Sequence, residues 1–216
     1  DFLGEQKVKN IERPIRVYAV KMSDNVTYSK MGKKPKPPAK PSIAVLPFVN
    51  MSGDLEQEYL VDGMTEDIIA ALARFNELFV IARNSTFTYK GKAVKVQEVA
   101  EDLGVRYILE GSVQRAGARV RITAQLIRTD DGTHLWSEQF DRTLDDIFAI
   151  QDEISMAIVD HLKVTLMSRE KSAILRRHTD DFELYDLYLK ASHYIKLTTP
   201  AAIEKAVDYI EQVLRR

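Results

Sequence analysis

A zinc centre of the usual nitrogen and sulfur type in this chain would have to draw on His134, His161, His178 and His193, because the sequence contains no cysteine. Zinc takes three or four nitrogen, sulfur or carboxylate donors, and helices supply them at short repeats such as H-E-x-x-H. No such spacing occurs here. The lack of cysteine also removes thiolate nucleophiles and disulfides. Carboxylates come in adjacent pairs: Glu66 with Asp67, Asp130 with Asp131, Asp145 with Asp146, and Asp152 with Glu153. Catalysis by two carboxyls needs them to face each other across a substrate, whereas neighbours on a helix point about 100° apart. Helix N-terminal charge and turn chemistry account for these pairs. No catalytic, cofactor-binding or metal-binding residue is assigned, and no autonomous enzyme is expected.

The turn Asn50-Met51-Ser52-Gly53-Asp54 is the one arrangement that invites ligand chemistry, since backbone N–H groups at a helix start hold anions. It has a single glycine and neither G-K-[ST] nor G-x-G-x-x-G, so Ser52, Gly53 and Asp54 read first as turn and cap. A small ligand would sit at the carboxyl ends of the strands, with Asn50, Ser52, Gly53 and Asp54 on one side and Arg83, Asn84 and Ser85 on the other. Charge marks a second surface. Residues 83–121 hold eight Lys and Arg, Arg119 and Arg121 among them, against four acids, while residues 130–160 hold nine acids against Arg142 alone. Faces of opposite sign steer a protein partner or a second copy, or else neutralise each other within one domain. A net charge of -1 and a pI near 6.5 argue against nucleic acid, and no apolar run approaches a membrane span.

These residues need elements to position them. SIAVLPF (42–48) reads as a buried strand, and Asp54 with Gln57 three residues on caps a helix whose apolar positions are Leu60, Met64, Ile68 or Ile69, Leu72 and Phe75. LFVIAR (78–83) is a second buried strand, so this unit is a right-handed parallel crossover. A polar loop leads to a short helix from about Val94 to Leu103, stopped by Gly104. Residues 105–114 form a third strand. In residues 119–128, Val120, Ile122, Ala124 and Leu126 alternate with polar residues, and TDDGT turns the chain back into HLWSEQF. A helix of about 25 residues follows from Leu144. The order β-α-β-α-β-β-β-α predicts an α/β fold, a mixed sheet with flanking helices. An α-helical hairpin follows, with Pro200 opening its second helix.

The expected organisation is a closing strand of a truncated domain at 1–22, a Pro/Lys-rich linker at 23–41, the α/β domain at 42–168, a connector at 169–182 and the hairpin at 183–216. The linker follows from GKKPKPPAKP (32–41), whose four Pro and four Lys favour an extended tether. Ahead of it, Ile15 to Val20 read as a strand with no neighbour to pair with, so its partners are expected elsewhere.

Three resemblances join these pieces. Gly4, Glu5, Lys9, Asn10, Ile11, Pro14, Val17 and Tyr18 form a pattern that resembles the closing strand of a class III adenylate/guanylate cyclase domain. SIAVLPFVNMSGD, Thr65 to Ile69, FVIARNSTFTYKGKAV, LGVRYILEGSV, VRITAQLI and DGTHLWSEQFDR are together similar to the amino-terminal domain of the translocation protein TolB, a module that follows the cyclase domain in rhizobial-type cyclases. Residues 183–216 resemble a first tetratricopeptide hairpin, with an inter-helix loop about three residues longer than consensus and no terminal Pro. The resemblance implies a parent that converts ATP to cyclic AMP in the cytoplasm with a divalent metal. Its metal-binding aspartates lie upstream, so none is carried onto this sequence. It also implies partners: the upstream cyclase domain, downstream repeats, and a protein partner or a second copy, with regulation by docking or dimerisation. The alternative is a small-ligand sensor controlling the attached cyclase.

Overall fold

The computed structural model describes residues 2–6, 15–18, 38, 40–162, 179 and 181–215. The chain divides into two compact units, residues 1–33 and 34–216. In the first, β1 (Phe2–Gln6) and β2 (Ile15–Tyr18) pair antiparallel, with Glu5 opposite Arg16 and Gln6 opposite Ile15. The strand expected to stand alone therefore has a partner. Polar Gly4-Glu5-Gln6 shows no apolar alternation, which hid it from a pattern search, and pairing supplies the backbone partners that a single strand lacks. The linker residues 23–37 and the connector residues 169–178 lie outside the described residues.

The second unit is built on a six-stranded sheet in the order β5 (Phe79–Val80), β3 (Ser42–Val45), β6 (Tyr107–Ala116), β7 (Arg119–Arg128) and β8 (His134–Thr143), with β4 (Val49–Asn50) also beside β6. β3 (Ser42–Val45) is buried throughout and pairs parallel with both β5 (Phe79–Val80) and β6 (Tyr107–Ala116). α1 (Glu58–Leu72) makes the crossover from β3 to β5. Its Leu60, Met64, Ile68 and Leu72, at helical spacing, are all at most 1% exposed. β7 (Arg119–Arg128) and β8 (His134–Thr143) continue antiparallel, and α4 (Ile147–His161) returns over the sheet. Thr143 and Asp146 form a capping box at the turn into α4. α4 ends at His161, so its expected extension to residue 168 falls outside the described residues. α2 (Arg83–Thr86) and a 3-10 turn at Phe87–Tyr89 occupy the stretch expected to be a loop. α3 (Val96–Leu103) ends on Gly104 at φ +67°, as the sequence predicts.

The two faces of the sheet are covered unequally. α1 and α4 pack on one face over Val45, Leu109, Val113, Ile122, Leu126 and Phe140. α3 covers only part of the other, where Val99, Ala100 and Val105 meet Ala44 and Ile108. Beyond α3, register places Glu110, Ser112 and Gln114 beside Gln125, Thr123 and Arg121 on a polar face.

β3 and β4 (Val49–Asn50) are one interrupted strand running alongside β6. At the interruption Phe48, 2% exposed, turns under the sheet, and its backbone N–H donates to Thr65 Oγ1 at 3.2 Å. A Cβ on Gly111 would lie 2.6 Å from Phe48 Cε2 and against the Thr123 carbonyl, so only glycine fits there. Gly111→Val is expected to lower stability by about 3 kcal/mol, the upper range for overpacking, read as a fall in the urea midpoint with an unchanged slope.

Candidate functional site

The polar side chains gather where the C-terminal helices meet the α/β body. α5 (Phe182–Lys196) and α6 (Pro200–Leu214) form the predicted hairpin, Asp181 capping the first and Thr199 the second, with Pro200 in its first turn. Ala191, Ala202 and Ala206 are buried between and beneath them. α5 lies against α1. A Cβ on Gly63 would lie 2.5 Å from Leu189 Cδ2, so the mid-helix glycine makes a notch for Leu189, itself 6% exposed.

Around this notch, hydrogen bonds and ion pairs tie the two parts. Tyr59 donates to Asp186, and Tyr185 donates to Asp67. Gln151 of α4 donates to Asp67 and to the Tyr185 oxygen, both at 3.3 Å. Phe148 meets the Tyr185 ring edge-on at 4.8 Å. Lys196 reaches Glu66 at 3.0 Å, and Arg83 approaches the same carboxylate at 3.0 Å while stacking over Phe87 at 3.7 Å. Within the body itself, Lys90 pairs with Asp62 at 2.5 Å and Glu58 at 3.2 Å. Burial first, then the Asp67 charge and hydrogen bond, push the Tyr185 phenol well above its ordinary value; burial and then Asp186 do the same for Tyr59. The seam encloses a cavity of about 670 Å³ whose walls include Asp67, Arg74, Gln151, Tyr188 and His193.

The residues singled out in the sequence are dispersed over several places. The Asn50–Asp54 turn is internally satisfied. Asn50 Oδ1 accepts from the Ser52 N–H at 2.9 Å, Asn50 Nδ2 donates to the Asp54 carbonyl at 2.8 Å, and Ser52 Oγ accepts from the Arg115 N–H at 2.9 Å. Gly53 sits at φ +74°. Asp54 accepts from the Glu56 N–H and from Gln57 Nε2, as turn-and-cap chemistry requires, although the first turn is 3-10 and α1 proper begins at Glu58. Arg83, Asn84 and Ser85 lie in α2, where Ser85 bonds through its backbone to Ala82 and Thr88. Arg119 and Arg121 both hold Asp141 on the neighbouring strand, so part of the basic and acidic charge is neutralised within the domain. Those guanidiniums, Arg119 first, keep the Asp141 carboxyl below its usual range. Of the nine residues, Arg83 alone lines either this cavity or a second one of about 870 Å³ beside Arg115 and Asp145. At the carboxyl end of β3, where the crevice is expected, the chain continues into β4 alongside β6. Among the described residues no group of three or more His, Asp or Glu is placed to hold a metal, and no helix is long and apolar enough to cross a membrane.

The sequence reading missed Tyr59, Asp67, Gln151 and Tyr185 as a group. Asp67 was set aside as one of an adjacent pair, and Gly63 inside a helical pattern was the available signal, since mid-helix glycine costs about 1 kcal/mol and asks for a packing reason.

Gly63→Val is expected to lift Leu189 from its notch and raise amide exchange across α5 and α6 while β6 and β7 stay protected. Leu189→Ala should cost about 2–3 kcal/mol by truncation alone, at the low end because the site borders the cavity. Since Tyr185 and Tyr59 ionise above the unfolded value of about 10, their contribution is fully present below that pH and is lost as pH climbs through the raised values. Absorbance titration of tyrosinate should show late-ionising phenols, Tyr59, Tyr89 and Tyr185 among them, one of which disappears in Tyr185→Phe.

A protein of Rhizobium meliloti (strain 1021) named "Putative adenylate cyclase 3" is 50% identical over 195 residues, 89% of this chain. The chain spans about a third of that relative's length, 33%. Among solved structures, TolB from Acinetobacter baumannii matches 59% of this chain and 29% of its own at 18% identity and TM-score 0.45. Lipoprotein GNA1162 from Neisseria meningitidis matches 58% and 99% at 22% identity and TM-score 0.41. The family model described as HilA/YgeH-like transcriptional regulator, second domain, matches residues 39–157, and the chain therefore belongs to that family.

Proposed function

We propose that this chain is the non-catalytic regulatory and interaction region of a cytoplasmic adenylate cyclase, acting by docking a protein partner or by self-association. One observation carries this reading. The same α/β module belongs to a family described by its transcriptional regulators and occurs in a relative named for a cyclase. A module that accompanies two unlike outputs is better understood as what controls an output than as the output itself. The catalytic metal, the ATP site and the aspartates that bind them then belong to the parent's cyclase domain, and a cytoplasmic setting follows from the need for ATP. The hairpin of α5 and α6 is read as the first tetratricopeptide repeat, because Ile203, Val207 and Ile210 stand at helical spacing with 50%, 47% and 39% exposure, as a face awaiting a neighbouring repeat would. Coupling would work by biasing how two cyclase domains meet.

A second reading, a small-ligand sensor, is favoured by the cavity between α1 and α5. A ligand bridging the body and the hairpin there would stabilise the seam, by about 2.7 kcal/mol at a hundredfold excess over its Kd.

Deleting residues 42–216 from the full-length cyclase-bearing protein is expected to change cyclic AMP production several-fold. The 216-residue chain alone should form no cyclic AMP from ATP and magnesium. Turnover by the chain, or a deletion without effect, would overturn the regulatory reading. A thermal shift with one metabolite class, abolished by Gly63→Val, would move the balance to the sensor.

A further inference from the structure

Among the described residues β8 is an edge strand of ten residues, paired with β7 on one side only. Its outward-facing backbone groups are fixed by the ladder. Leu144 N–H donates to the Ala118 carbonyl at 2.9 Å, so Thr143 opposite Arg119 is a non-hydrogen-bonded pair. Alternation along the register then turns the N–H and C=O of Phe140, Glu138 and Arg142 toward β7. Those of Ser137, Gln139, Asp141 and Thr143 turn away from β7, where the Asp146 carboxylate of the capping box holds the Thr143 N–H at 3.3 Å. Ten residues of open edge are a template for another strand unless something blocks them.

Two side chains give that edge a sign. Glu138 and Arg142 share the face of Phe140, four residues apart, and both are exposed. Among the described residues Glu138 accepts only from Trp136 Nε1 at 3.3 Å and Arg142 donates only to the Asp141 carbonyl at 3.5 Å, so there neither has a partner of opposite charge. Inward-facing charges on an edge repel most incoming strands. They accept one that brings the opposite sequence of charges.

We propose that β8 pairs antiparallel with β8 of a second copy about a two-fold axis at Phe140, a self-association that rests on the interaction role proposed above. Pairing must join outward residues to outward residues, which leaves few registers near the strand centre. An axis at Glu138 sets that carboxylate against itself, and an axis at Asp141 does the same there. An axis at Gln139 leaves Glu138 opposite Phe140. The axis at Phe140 places each Glu138 opposite the other copy's Arg142 and hydrogen-bonds Gln139 to the other copy's Asp141 backbone, making two identical charge pairs by symmetry. The sheet then runs unbroken through both copies.

Sedimentation velocity of the 216-residue chain over a concentration series should show a reversible dimer. Glu138→Arg and Arg142→Glu each turn two attractive pairs into two repulsive ones, so each should raise the dissociation constant roughly tenfold or more, and the double variant should recover it. Gln139→Pro removes an outward N–H at an edge position that tolerates proline, and should abolish the dimer with the circular dichroism spectrum kept. A wild-type chain that stays monomeric, or a dimer indifferent to all these changes, would overturn the proposal. If the variants separate the copies while the full-length protein makes cyclic AMP unchanged, the β8 contact stands and the regulatory role falls.

Discussion

Everything in the second unit is arranged around one long strand, β6, that lies between parallel partners on one side and an antiparallel partner on the other. Its first half, with Ile108 and Leu109 both fully buried, has to be covered on both faces. Its second half alternates, with Val113 buried and Gln114 exposed, and needs cover on one face alone. That difference forces the layers apart. α3 is short because only the first half of the strand needs it, and the polar face beyond α3 is left to solvent. The interruption between β3 and β4, with Phe48 filling the space under Gly111, lets a parallel neighbour follow β6 through this change of environment.

The C-terminal hairpin uses the other face. Leu189 in the Gly63 notch supplies apolar burial, and the Tyr185, Asp67 and Gln151 cluster fixes the angle at which α5 lies on α1 and α4. A half-buried carboxylate that accepts from Tyr185 and Gln151 is specific, because displacing either donor leaves a partly desolvated charge. The surface pairs from Lys196 and Lys90 add little, about 0–1 kcal/mol each. They ring the cluster and do not anchor it. The body and hairpin are therefore one compact unit in which a change at the seam is felt by both helices that cover the central strands.

Much of this was legible from the sequence. Strict alternation at Val120, Ile122, Ala124 and Leu126 gave β7 and its buried face, and the spacing of Leu60, Met64, Ile68 and Leu72 gave α1 with its core positions. Pro200 marked the start of the last helix. The misses share a cause. β1, β4 and α2 are two to five residues long with little or no apolar periodicity, so backbone pairing and not side-chain patterning decides them. The seam was invisible because it joins Asp67 to Tyr185, 118 positions apart, and neither residue type predicts a distant partner. The expectation of a ligand crevice near Asn50 and Arg83 rests on the rule for open parallel sheets, and at that end the chain continues as β4 beside β6.

The only tryptophan in the sequence, Trp136, stands near the start of the open-edged strand, its indole N–H on Glu138 and its ring 6.4 Å from Phe140 and 6.3 Å from His161. It touches the strand and the last turn of α4 at once. Intrinsic tryptophan fluorescence from this molecule is thus a single-site signal, with the emitting ring seated beside the His161 imidazole. An optical readout of that border is already written into the wild-type chain, with no label to attach.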